Sequence, residues 1–531
     1  MQLYPTHATF HVAVAGIGLV TLGAAARLAP VVAFGGSMLL ALALGRAVAR
    51  IGVARLRGAG FEMVWCDAQR VHKLVRDGQI VLRGELRNRG GDRVHVSALR
   101  TVASSWLDTS IEPRRLTLPP WSRAIVEIRV GAKRVGRWGV HGLALEVCAM
   151  PFGADGLYEV PLLFANPLGI EVLPRALVAF VASPRGGRAR HGATFGSAGR
   201  SSGEGDQLRE LRAHVPGDAF KRIAWKASAR RGKLLVREMD RDERDVVWLV
   251  LDASVELWAG PAGHAPLDRM IDDLATMAVR HLAEGDRVGL VVAASRLRAW
   301  IGPRSGAKHG AVLASALASA ASVIDVDRSE LDEAQVARRV AEHARPLDPR
   351  GLADLPKGDL GALAARAAEL EASAPFAPRI PFAPTEREQS LRHYLAAFGI
   401  EAPPRLDGER RKTEATMSLT LDRLHDERPR PTIVHVWAPP PSVPRPMGEP
   451  IAALRASGAE VRWSLPVFGP GLGLDVRGNN PLAEIAHDAV RARAQATRDR
   501  GERLLRRLGV RVLSIGPRRP IASSDRTPGE A

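Results

Sequence analysis

The chain has 531 residues, 46% of them hydrophobic, a formal net charge of +18 at pH 7, and two cysteines, Cys66 and Cys148. That length suits two or three domains, and the apolar content excludes a globally disordered polymer. Cysteines without CxxC or Cys/His spacing exclude a disulfide framework and a zinc ribbon, while the positive balance suits an anionic surface such as lipid headgroups or nucleic acid.

Residues 8–29 and 31–49 are two apolar runs separated by Pro30, with Arg27 at the turn. Each is about 20 residues, enough to cross a hydrocarbon core of about 30 Å. The first is too long and too poor in early positive charge for a cleaved signal peptide. Gly16, Gly18, Gly23, Gly35 and Gly36 would let two helices approach closely in lipid. Arg46, Arg50, Arg55 and Arg57 follow the second run, whereas Arg27 alone marks the turn. The positive-inside rule then places the body from Ile51 onward in the cytoplasm. The expectation is a transmembrane helical hairpin over residues 1–50, multi-pass in the inner (cell) membrane.

Residues 51–183 predict a β-rich, sandwich-like module. Short apolar or alternating runs at 80–86, 94–102, 124–130, 143–149 and 158–163 are punctuated by Gly, Pro and Asp/Asn clusters. Trp106, Trp121 and Trp138 read as core or strand aromatics. Residues 184–210, rich in Gly, Arg and Ser, read as a flexible basic loop. Its Gly203–Glu204–Gly205 lacks the strand and the Lys-Ser/Thr ending of a phosphate loop.

Residues 211–245 carry the most distinctive pattern. Pro216 and Gly217 make a turn, Asp218 is placed to N-cap a helix from Ala219, and Gly232 ends it before a strand at 234–236. Phe220, Ile223 and Trp225 supply apolar contacts. Within 211–238 eight basic residues, Arg212, Lys221, Arg222, Lys226, Arg230, Arg231, Lys233 and Arg237, are opposed only by Asp218 and Glu238. One reading pairs Asp218 with arginines to fix the turn. The other makes the outer arginines a docking surface, with Asp218, Arg222 and Trp225 holding the junction.

Beyond it, residues 246–516 alternate strands and helices. Strands fall at 246–251, 287–294, 296–301, 432–437, 460–465 and 510–515, and helices at 267–284, 306–323 and within 481–508. That order predicts a mostly parallel sheet covered on both faces. Residues 325–430, with helical stretches at 330–344, 359–372 and 386–398, read as a helical insertion in this domain. Residues 517–531 read as a disordered tail.

The segment resembles the signature of the family called domain of unknown function 58. The spacings that carry the resemblance are Leu211, Arg212, Gly217, Asp218, Arg222, Ile223, Trp225, Ser228, Ala229, Arg230, Leu234, Val236, Arg237 and Glu238. Ala213 and His214 depart from it, standing where the family usually has glutamate and tyrosine. The resemblance implies an α/β domain similar to von Willebrand factor type A, which is Rossmann-like. In that fold the first strand ends in aspartate-x-serine-x-serine, which binds Mg²⁺ through hard oxygen ligands. Asp252 and Ser254 keep two of those positions, Glu256 takes the third, and Ser305 is the nearest hydroxyl after residue 301. The strand at 432–437 runs into Ala438-Pro439-Pro440-Pro441 where a further aspartate would stand. The metal site is incomplete, and no cofactor is expected unless Mg²⁺ binds Asp252 and Ser254.

No HExxH or Walker pattern occurs. The expectation is a non-enzymatic, membrane-anchored protein-interaction component. The family resemblance implies a MoxR-type AAA+ ATPase as partner, in assembly or activation of client proteins. The alternatives are an anionic-polymer binder, with nucleic acid the weaker match, and a metal-dependent receptor or enzyme centred on Asp252.

Overall fold

The computed structural model describes residues 3–148, 157–182, 202–216, 220, 223–240, 244–258, 260–320, 331–347, 352, 355–356, 358–372, 374–376, 383–400, 409–441, 444–466 and 481–514. The chain divides into two units, Met1–Leu173 with Ala321–Arg405, and Pro174–Ala320 with Leu406–Ala531.

In the first unit the apolar runs form α1, His7–Ala25, and α2, Ala29–Ala59, both long and apolar enough to cross a membrane. Pro30 does not separate them. It sits in the first turn of α2, where its missing N–H leaves no helical bond unmade. The break falls at Arg27, whose φ of 56° reverses the chain. Three of the five glycines lie at the helix–helix contact. A Cβ on Gly35 would stand 2.7 Å from the Gly16 carbonyl oxygen, and one on Gly23 would stand 2.9 Å from Val32 N. Gly18 and Gly36 face open space.

The strands of this unit are β1 (Tyr4–Pro5), β2 (Phe61–Trp65), β3 (Val71–Val75), β4 (Gln79–Asn88), β5 (Val94–Ala103), β6 (Leu107–Glu112), β7 (Leu116–Leu118), β8 (Arg123–Ala132), β9 (Gly136–Cys148) and β10 (Tyr158–Leu173). One sheet has the order β1-β10-β9-β5-β7 with β3 beside β10, and the other β2-β4-β8-β6. Alternation builds the core: Val126, Ile128 and Val130 of β8 are fully buried and meet Leu82 and Leu86 of β4 across the ladder's inner face. Trp138 is buried and donates through Nε1 to the Arg134 carbonyl at 3.1 Å. Trp121, expected in the core, is instead 74% exposed at a left-handed turn position.

The base of the hairpin is tied to the entry of β10. Thr6 N donates to the Leu157 carbonyl at 3.1 Å, Thr9 Oγ1 donates to the same oxygen, and the Tyr158 hydroxyl donates to the Leu42 carbonyl at 3.0 Å. β1 adds an antiparallel pairing of Tyr4 with Glu159.

The helices Glu333–Leu347, Leu360–Glu371 and Glu386–Phe398 belong to this unit, not to the α/β domain in which the sequence placed them. The reason lies in apolar and aromatic contacts with the strands. His141 meets His343, which packs on Tyr394 and Phe398, with ring centroids 5.5, 5.7 and 5.0 Å apart. Phe376 packs against Gly169, and Ser104 Oγ donates to the Gly399 carbonyl at 3.3 Å.

The second unit contains β11 (Ser202–Ala213), β12 (Leu235–Asp240), β13 (Val246–Asp252), β14 (Arg287–Ala293), β15 (Leu297–Arg304), β16 (Ile433–Trp437), β17 (Glu460–Leu465) and β18 (Arg511–Ser514). Six of them form a sheet in the order β15-β14-β13-β16-β17-β18, all parallel except β15. β13 is buried at every position, as a central strand covered on both faces must be. Trp248, on β13, fits because β14 offers Gly289 beside it; a Cβ there would lie 2.7 Å from the indole. The helix Arg175–Ala182 packs on Pro266–Glu284 and Ala307–Ala320, so the β-rich module ends at Leu173 and not at residue 183. Residues 202–210, read as loop, are strand, because β12 supplies an antiparallel partner that no local pattern reveals.

Candidate functional site

The signature segment resolves into a buried underside and an exposed top. Ile223 bridges Val236 and is buried with Ala224, Leu235 and Val236. The helix Trp225–Arg231 starts six residues later than the expected Ala219 and ends at Gly232, whose φ of 61° makes the left-handed cap. Ser228 is structural: its hydroxyl accepts the Leu235 N–H at 2.8 Å and fastens the helix to β12. Leu211, Arg212, Arg237 and Glu238 lie in the β11–β12 ladder, with Leu211 opposite Arg237 and Arg212 opposite Val236. Gly217, Asp218 and Arg222 lie outside the described residues, and so does the expected Asp218 cap.

Trp225 does not hold the junction. It is 58% exposed, Phe220 is 75% exposed, and their ring centroids lie 6.3 Å apart. Val215 and Leu234 are also exposed, and the exposed side chains of Lys226, Arg230, Arg231 and Lys233 accompany them. The segment thus presents aromatic surface with cationic neighbours, which suits recognition of an apolar and acidic surface.

A second constellation lies at the carboxyl end of β13. The sheet order reverses between β13's two neighbours, β14 and β16, and open α/β sheets hold their ligand sites in the crevice there. Asp252, the last residue of β13, is fully buried, and its Oδ1 accepts the Ser254 N–H at 2.9 Å, a turn-forming bond. Its Oδ2 accepts from Arg410 Nη1 at 2.8 Å. The same Nη1 lies 3.2 Å from Glu256 Oε1, and Arg410 Nε lies 3.1 Å from Glu414 Oε1. Arg410 Nη2 donates to the Pro439 and Pro440 carbonyls, each at 3.3 Å. The proline run after β16, which lacks the aspartate of the von Willebrand pattern, therefore contributes through its backbone.

Arg410 stands in the first turn of the helix Glu409–Asp426. A cation there opposes the helix dipole, and an arginine preceding a glutamate by four is the weaker order for a helical pair. Helix stability does not explain it; the carboxylates do. Burial works against the charged guanidinium, but Asp252, Glu256 and Glu414 outweigh it and hold Arg410 above its ordinary value. Burial and the neighbouring carboxylates together push Glu256 up, against the pull of Arg410. Two hydroxyls, Ser254 Oγ in the turn after β13 and Thr413 Oγ1 on the helix that carries Arg410, are buried with no hydrogen-bond partner. Neither Arg410 nor Thr413 stood out in the sequence. Arg410 is 158 residues from Asp252, and only the fold brings them together. Ser305 makes no described contact with the cluster.

Among the described residues, His281, Glu284 and Asp286 also have ligand atoms within 4.8 Å of one another, at the end of the helix Pro266–Glu284. His281 Nδ1 is already bonded to Asp286 Oδ2 at 2.8 Å, and Asp286 Oδ1 accepts the Asp245 N–H at 3.3 Å. Hydrogen bonding within the protein accounts for this cluster as it stands.

Residues 210–344 match the family model described as protein of unknown function DUF58. Uncharacterised proteins of Mycobacterium tuberculosis and Mycobacterium bovis are 30% identical over 107 residues, which is 20% of this chain and 34% of theirs. The chain thus spans about a third of the length of the curated relatives it matches. Among solved structures, the ASH / PapD-like domain of human CEP192 is 12% identical with a TM-score of 0.17, covering 22% of this chain and 86% of that one. The native Escherichia coli alpha-2-macroglobulin is 13% identical with a TM-score of 0.17, covering 82% of this chain and 22% of that one. At these scores neither sets a fold.

Proposed function

We propose that this protein is a membrane-anchored, non-enzymatic interaction component that works with a MoxR-type AAA+ ATPase in assembly or activation of other proteins. The single observation that carries the reading is the exposed Phe220–Trp225 pair beside Lys226, Arg230, Arg231 and Lys233. The segment whose spacings resemble a known family leaves two large aromatics in solvent side by side. Exposed aromatics with charged neighbours are the composition of a docking surface. The two apolar helices support a hairpin anchor in the inner membrane, with the body on the cytoplasmic side, where Arg46, Arg50 and Arg55 cluster in the C-terminal half of the second helix. The strand order with an antiparallel β15, and Asp252 at the end of the first strand, support a von Willebrand factor type A-like domain. The two mainly antiparallel sheets of the first unit support a sandwich.

The test is co-purification of the full chain from detergent, with and without ATP, alongside Trp225→Ala. Recovery of an AAA+ ATPase by the wild type and its loss in the variant is the expected result. Failure of the wild type to retain any AAA+ ATPase in either state would overturn the partnership. Salt-dependent capture of nucleic acid in its place would favour the anionic-polymer reading.

A further inference from the structure

We infer that Arg410 is the built-in cation of the β13 site, filling the position where a von Willebrand-type domain would hold a divalent ion, so that this site works without metal. A resident ion would need Asp252 as its buried carboxylate ligand. Both Asp252 oxygens are taken, Oδ1 by the Ser254 N–H and Oδ2 by the guanidinium at 2.8 Å. The two carboxylates that accompany Asp252, Glu256 and Glu414, also close on Arg410, at 3.2 and 3.1 Å. Two carbonyls complete the set. These acceptors are all oxygens, three of them anionic, and such a set is one a hard divalent cation would also favour.

The unpartnered hydroxyls carry the inference further. Ser254 is 1% exposed and Thr413 fully buried, and neither side-chain oxygen has a hydrogen bond. Leaving a buried hydroxyl unmatched is unfavourable. Ser254 stands in the turn that Asp252 Oδ1 fastens, two residues after Asp252, and Thr413 stands three residues after Arg410 on the same helix. A planar guanidinium satisfies the carboxylates but leaves these hydroxyls unmatched. The site thus has more oxygen ligands than its own cation uses, and replacing Arg410 by a small residue should create a divalent-ion site.

The test uses the full chain in detergent with Mn²⁺ as the probe, read by electron paramagnetic resonance, with Mg²⁺ as competitor. The wild type is expected to bind no Mn²⁺ that Asp252→Asn removes. Arg410→Ala is expected to bind one Mn²⁺ per chain, displaced by Mg²⁺ and absent from Arg410→Ala/Asp252→Asn, and its thermal midpoint should rise with Mg²⁺ while the wild type's stays fixed. If Arg410→Ala fails to fold, Arg410→Gln carries the same readings, because it keeps bulk and an N–H donor without the charge. Asp252-dependent Mn²⁺ binding by the wild type would overturn the inference. So would a folded Arg410 variant that gains none.

Discussion

Removing the Arg410 side chain is the sharpest test of how the second unit is held together. In Arg410→Ala, kept free of divalent ions with a chelator, Asp252 and Glu414 stay buried while losing their counter-charge. Breaking a buried ion pair by deleting one partner costs about 3–5 kcal/mol, because the remaining charge cannot be solvated. Glu256 adds little, since 42% of its side chain is in water and solvent screens it. A domain of this size shifts its thermal midpoint by about 2–4 °C per kcal/mol, so the loss should be about 6–20 °C. Scanning calorimetry of the full chain in detergent measures it directly. The double variant Arg410→Met/Asp252→Asn should lose less than the sum of the single variants, since it removes both charges together. A shift below about 3 °C for Arg410→Ala, or strict additivity, would show that the cluster is not a buried charge network and would refute the reasoning.

Ser228→Ala should cost about 1–3 kcal/mol, because the buried Leu235 N–H loses its acceptor; denaturant unfolding reads this, and an unchanged midpoint would make the helix-to-β12 bond incidental. Trp225→Ala should leave stability within about 0.5 kcal/mol of wild type while abolishing partner capture, a separation that equal losses in both assays would contradict. Gly289→Ala should destabilise by about 1–3 kcal/mol, since its Cβ would meet the rigid Trp248 indole and has nowhere to move. Burial lowers His141 to about 4 and His343 to about 3, the latter aided by repulsion from His141. Both rings are therefore neutral when folded and take up protons more readily when unfolded. Their contribution to the first unit is fully present above an unfolded value of about 6.5 and is lost as pH falls toward about 4 and then about 3. Replacing both by Phe should flatten the stability–pH curve in that window.

Much of the second unit could be read from its letters. Residues 246–251 form a continuous apolar run because β13 is covered on both faces, and the periodicity of residues 267–284 marks a helix with one buried stripe. What resisted reading had identifiable causes. The helix Pro444–Ala456 contains Pro450, and prolines conceal helical periodicity. Strand β11 is polar and short of alternation, so only its partner β12 identifies it. The helices after residue 330 look alike whichever body they cover; His343, Phe376 and Phe398 decide the matter by meeting His141, Gly169 and Gly139. In the candidate site, Asp252 and Ser254 were legible through the aspartate-x-serine pattern that the family resemblance implies at the end of a strand. Arg410 was not, because a lone arginine at the start of a helix carries no signal until its carboxylates are in place. Trp225 misled in the opposite direction: an aromatic within a dense pattern reads as core, yet it lies in solvent.

The hydrogen bonds from Thr6, Thr9 and Tyr158 at the foot of the helical hairpin have a mechanical consequence. They clamp the start of α1 and the middle of α2 to Leu157 and Tyr158, at the entry to β10, beside the continuous helix that leads into β2. If α1 crosses a bilayer, Thr9 and Leu42 mark one depth, and the helix from Arg46 to Ala59 continues beyond it as a post. The first unit is then mounted on its anchor at several points and not leashed by a flexible tether. A pull on the folded body would load the hairpin as a lever, and the body's tilt would be set by the hairpin's tilt. Fluorescence anisotropy of a dye on the first unit in nanodiscs should show the slow decay of the disc itself, and Tyr158→Phe with Thr9→Val should add a faster component.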